Sequence, residues 1–292
     1  MKARPISAML HRTALRALDH DVLNLAQSAA YSAIVALFPA LLDTAAIVAF
    51  LPDATRTQLL TIFTRFLPAE VIPLLEGYFV PSPGHSPSLH VLFGAALVSI
   101  TGAVAVITTF MEGMRRARRL PLRSWTFWSI RARALLLVPF SLVPLAITSS
   151  LVIFGEILTR WLVMHLAPEL RAPVHVAAFI GRVAIEFIGS VGLIALIYHL
   201  GTPERQPWRR VLPGAVAATA MWLVSTLAFG WYVTRFANYS EVYGSLGAGI
   251  ALLFWLFLVS LSVLCGAEFN EQFRPRPSPD EEIVQKSSNS AV

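Results

Sequence analysis

Residues 244–266 read GSLGAGIALLFWLFLVSLSVLCG and carry no charged side chain. An α-helix rises about 1.5 Å per residue, and about 20 apolar residues in helix cross the roughly 30 Å hydrocarbon layer of a bilayer. This stretch therefore reads as a membrane span. Outward from it, apolar runs at 24–51, 89–111, 134–157, 183–200 and 211–233 have the same character, which makes six candidate spans. Composition agrees, since 56% of the 292 residues are hydrophobic and only 14% are charged, whereas a soluble domain carries about 25% charged residues. The bilayer is the solvent for most of this chain.

Charge orients the spans. With the N-terminus inside, Lys2, Arg4, Arg12 and Arg16, the arginines from Arg115 to Arg133, Arg205, Arg209, Arg210, Arg274, Arg276 and Lys286 all lie on the cytoplasmic side. That places 17 positive residues inside against 5 outside, with Arg182 at a span edge. A bias of this size sets the orientation by the positive-inside rule. It also accounts for the net charge of +6 without nucleic acid. Residues 1–22 contain too many charges for the apolar core of a cleaved signal peptide, so the first span directs insertion itself. Cys265 is the single cysteine, which excludes a disulfide scaffold within the chain and leaves it as a small apolar residue.

The connections at 54–79 and 158–181 mix apolar residues with sparse charges at helical spacing, and read as short helices on the outer interface or capping the bundle. The run Pro81, Ser82, Pro83, Gly84 is a turn-rich linker. The expected fold is an all-α membrane protein, a six-transmembrane helical bundle with short interfacial helices on the outer side. Its parts are a cytoplasmic N-terminal segment 1–23, a membrane domain 24–273 and a disordered cytoplasmic tail 274–292 rich in proline, serine and acidic residues.

Several local sequences carry a family likeness. They are Ala29-Ala30-Tyr31 with Leu37-Phe38-Pro39, Leu212-Pro213-Gly214-Ala215, Tyr239, Tyr243-Gly244-Ser245-Leu246-Gly247, Trp255 and Gly266-Ala267-Glu268-Phe269-Asn270. In order and spacing they resemble the YihY/BrkB family of bacterial inner-membrane proteins, over roughly residues 20–273. The likeness departs after the second span, where this chain reads Met114-Arg115-Arg116-Ala117. It implies six helices and an inner-membrane location. It does not imply an activity, because some members bear a ribonuclease name and others a virulence-factor name.

Ionisable and helix-breaking residues at membrane depth are the candidates for function, since a charge there costs on the order of 2.5–3.5 kcal/mol on insertion scales. Asp43 follows Pro39, where a kinked helix frees backbone carbonyls near a carboxylate. Arg182 and Glu186 are one helical turn apart and can pair. Glu112 and Glu268 close the second and sixth spans on the cytoplasmic side, within reach of water and of Arg115 or Arg116. Tyr243, Gly244 and Gly247 belong to a glycine-rich entry into span six, read as close helix packing or as an unwound substrate-lining start. The expected substrate contacts are therefore Pro39, Asp43, Arg182, Glu186, Tyr243, Gly244, Gly247 and Glu268. His199 and Glu204 lack metal-ligand spacing, and the chain shows no nucleophile elbow and no phosphate-binding loop. No catalytic, metal or cofactor residues are expected.

The leading expectation is a non-enzymatic transporter or flippase-like protein for a lipid or other amphiphile in the bacterial inner membrane. Its partners would be membrane lipids and an amphiphilic substrate, and not nucleic acid. A structural or regulatory membrane protein is the alternative, and an RNA-processing enzyme a more distant one.

Overall fold

The computed structural model describes residues 6–49, 89–120, 126–202, 206–236 and 245–273. Seven helices occupy them: α1 (Ile6–Asp19), α2 (Val22–Ala49), α3 (Leu89–Ala117), α4 (Phe127–His165), α5 (Pro168–Leu200), α6 (Trp208–Phe236) and α7 (Ser245–Asn270), followed by a 3-10 turn at Glu271–Phe273. Each helix from α2 to α7 contains a stretch long and apolar enough to cross a membrane. They close a ring in chain order, each packing on the next and α7 returning to α2, while α7 also touches α3 and α1. Spans one and six are thus direct neighbours.

The helices exceed their apolar runs. At 1.5 Å per residue, the 39 residues of α4 span about 58 Å, almost twice the hydrocarbon thickness. The segment 158–181 is accordingly not a separate interfacial helix. It forms the far arms of α4 and α5, broken only at Leu166 and Ala167. Pro168 suits that start, because the first turn of a helix has no use for the missing N–H. The other expected outer helix, 54–79, lies outside the described residues, as do the linker from Pro81 to Gly84, the tail from 274 onward, and Tyr243 and Gly244.

Packing is uneven along the bundle. Among the described residues, buried side chains crowd the end where α2, α4 and α6 start and α3, α5 and α7 finish. They include Val22, Ala26 and Ala29 of α2, Met111 and Met114 of α3, Ala195 and Tyr198 of α5, Val211 and Ala215 of α6, and Leu264 and Ala267 of α7. Toward the other end α2 buries nothing beyond Ala36 among its described side chains, and Thr159 and Gly247 are isolated buried positions. The crowded end carries Arg115, Arg116, Arg118, Arg131, Arg133, Arg209 and Arg210, and is called the arginine-rich end below.

Alanine and glycine make this crowding possible. Without interhelical hydrophobic drive in lipid, close backbone approach supplies dispersion contacts instead. A Cβ on Gly214 would lie 2.5 Å from the Gly266 carbonyl oxygen, and one on Gly266 would lie 2.5 Å from Ala218 Cβ. The two stretches Leu212–Ala215 and Gly266–Asn270 therefore meet backbone to backbone.

Candidate functional site

Six span ends and the end of α1 converge at the arginine-rich end, and a polar network fills the space between them. Its centre is Glu268, in the last turns of α7, a residue with no exposed surface. The Oε1 atom of Glu268 lies 2.6 Å from Nδ1 of His20. His20 sits in the two-residue turn between α1 and α2, where Asp21 adopts a left-handed backbone (φ 61°) that reverses the chain. Asp and Asn tolerate this conformation better than most residues. The turn lets α1 fold back onto α7, burying Met9, Thr13 and Ala17, which fall at four-residue intervals on one helical face.

A second set of contacts ties the same turn to α3. Arg116 donates to the His20 carbonyl oxygen at 3.4 Å, approaches Asp21 at 3.6 Å and donates to Glu112 at 2.9 Å. Glu112 also takes two hydrogen bonds from Arg115, at 2.6 and 2.7 Å, and Arg115 caps the Leu120 carbonyl at 2.9 Å. Cations at a helix C-terminus complement its dipole, so this placement serves α3 locally as well.

On the other flank, Tyr198 of α5 donates its hydroxyl to the Val263 carbonyl of α7. Asn270 accepts from the Gly214 N–H at 3.3 Å. Arg118 approaches Glu271 at 3.8 Å, and both side chains are largely buried. Met114, Ala117, Tyr198, Gln206 and Ala267 line a small recess with Arg118, Asn270 and Glu271. His199 stacks on Trp208 with ring centres 4.5 Å apart, closing the gap between α5 and α6.

The candidate residues fall into separate places. Glu268 belongs to this network, and water does not reach it as expected, because α1 covers it. Glu112 pairs with Arg115 and Arg116 as expected. Pro39 does not break its helix, for α2 runs on to Ala49 with Pro39 and Asp43 half-buried. Arg182 does not pair with Glu186. Its guanidinium goes to Glu156 on α4, which also accepts from Arg160 at 2.8 Å, while Glu186 is exposed. Adjacent helices outcompete the one-turn spacing because α4 lies alongside α5 over this depth. Gly247 is buried near the start of α7.

Sequence reasoning missed His20, Arg118, Tyr198 and Asn270 as members of one site. Asn270 was visible within the Gly-Ala-Glu-Phe-Asn motif, but nothing local marks His20, whose partner is 248 positions away. Among the described residues, no three His, Cys, Asp or Glu side chains group as a metal site.

The chain is 26% identical over 283 residues to the "Putative ribonuclease-like protein YfkH" of Bacillus subtilis, covering 90% of this chain and 94% of that one. A "UPF0761 membrane protein" of Tolumonas auensis is 27% identical over 280 residues, covering 92% and 85%. Another, of Chlorobium limicola, is 28% identical over 277 residues and is matched over 56% of its length. No solved structure matches the chain. The protein-family model described as Virulence factor BrkB matches residues 13–289, from within α1 past the end of α7, and the chain therefore belongs to the BrkB family of membrane proteins.

Proposed function

We propose that this protein is an inner-membrane transporter or flippase-like protein for a lipid or other amphiphile, with its arginine-rich end in the cytoplasm and acting as a closed gate. The observation that carries the reading is the uneven packing. Buried alanines, glycines and a polar network seal one end of a six-helix ring, whereas the described side chains of the opposite half bury little. A structural bundle gains by packing along its whole length. A transporter needs one end shut and a cavity reaching the other or the lipid. An amphiphilic cargo fits because the described opposite half offers Asp43, Arg182 and Glu156 as sparse polar groups in an apolar surround, while an apolar tail can stay in lipid. The orientation follows from the arginines themselves.

The test is movement of a fluorescent phospholipid between leaflets of proteoliposomes containing the purified protein. The reading expects movement above protein-free vesicles and its loss in a variant that cross-links α2 to α7. Equal rates with and without protein, for anionic and zwitterionic lipids alike, would contradict it. The ribonuclease-like name belongs to the Bacillus relative and adds nothing to this geometry.

A further inference from the structure

Glu268 is buried without remainder, yet only one of its oxygens is matched. Oε1 lies against His20, while Oε2 is buried and has no hydrogen-bond partner. Taking a bare carboxylate out of water costs several kcal/mol even after relaxation. What offsets that cost is a proton held between the carboxylate and its direct partner, the imidazole of His20.

The surrounding charges do not replace it. Arg16 on α1 and Glu271 one turn on bring opposite charges to the neighbourhood of the carboxylate. Arg118 is drawn toward Glu271. Arg116 from α3 reaches only the backbone carbonyl of His20, and its guanidinium is engaged by Glu112 and Asp21. Arg115 is held by Glu112. The Cys265 thiol, one turn before Glu268 on the same helix, brings no positive charge. A packed pair holding one proton is neutral overall, and a packed pair without it leaves an anion in the core.

We propose that His20 and Glu268 form a proton-binding site, and that opening of the arginine-rich end releases this proton to the compartment it faces. When α1 lifts and both groups meet water, the burial that demands a neutral pair is gone and the proton can leave. The closed form therefore binds this proton more tightly than the open form. Closure is favoured at low pH and is lost as pH rises. This deepens the transport reading by naming the proton as the coupled ion, and it rests on that reading for coupling. The site itself stands on the burial and on the 2.6 Å contact.

The experiment is amide hydrogen exchange of the Ile6–Asp19 segment in the full-length protein in lipid nanodiscs, corrected for the intrinsic pH dependence of exchange. The wild type is expected to open α1 at least about tenfold more at pH 8.5 than at pH 6.5, as release of a single proton permits. Glu268→Gln keeps the shape and removes the charge, so α1 should stay protected across the range. His20→Gln, at the less buried partner, leaves the buried carboxyl without its imidazole, so the pH at which α1 opens should move from the wild-type value, and this variant serves if the first does not fold. A wild type blind to pH, or variants that keep the wild-type response, would overturn the site. A pH-responsive α1 in a protein that moves no lipid would instead remove the transport reading and support the proton site.

Discussion

At Gly266 an added Cβ would meet Ala218 Cβ at 2.5 Å, the Gly214 carbonyl at 2.7 Å and the Tyr198 hydroxyl at 2.7 Å. Nothing there is the far end of a flexible chain except the tyrosine, so α6 and α7 must separate to admit it. Gly266→Ala should lower stability by about 1–3 kcal/mol, seen as a lower thermal midpoint of the detergent-solubilised protein. Tyr198→Phe removes one donor from the Val263 carbonyl and should cost about 1 kcal/mol. An unchanged midpoint for both would mean that α5, α6 and α7 are less tightly joined here than the structure shows. At this scale Glu268 was readable as a candidate from its motif and from its rarity as a charge in an apolar run. Its partner was not, because a histidine in a charged N-terminal segment looks like any solvated residue until α1 folds back. The Arg182–Glu186 spacing misled for a related reason, since sequence shows the turn of a helix but not the neighbour lying against it.

Among the helices, the six apolar runs were legible because lipid demands about 20 apolar residues in each, and the described helices match them. Their ends were not, because a helix continues past the hydrocarbon wherever nothing breaks it. Residues 158–181 illustrate this: sparse charges at helical spacing suit a surface helix and a projecting arm equally, and only the Leu166–Ala167 break distinguishes them. The arms of α4 and α5 are held by Glu156 with Arg160 and Arg182, all partly exposed. Glu156→Ala should therefore cost no more than about 1 kcal/mol, so a collapse of the folded protein in size-exclusion chromatography would show a larger structural role. Gly247 is a different case. It is buried where α7 begins, in the half that packs loosely, and Gly247→Leu should abolish lipid movement while leaving folded protein in the membrane. Joint loss of fold and movement would return Gly247 to packing.

For the whole molecule, the proposed function requires a bundle shut at its arginine-rich end, with that end in the cytoplasm, and accessible from the other. Cysteines placed singly along α2 from Ala26 to Thr44 and along α7 from Gly249 to Glu268, in a protein whose Cys265 is replaced by alanine, test this directly. Reaction with a membrane-impermeant maleimide in intact cells reports which positions meet outside water. Positions from about Phe38 outward on α2, and in the first turns of α7, should react from outside, and positions from Ala36 inward on α2 and beyond Ser260 on α7 should not. Labelling confined to the arginine-rich end, or a reactive stripe running through Ala26 and Ala267, would contradict it.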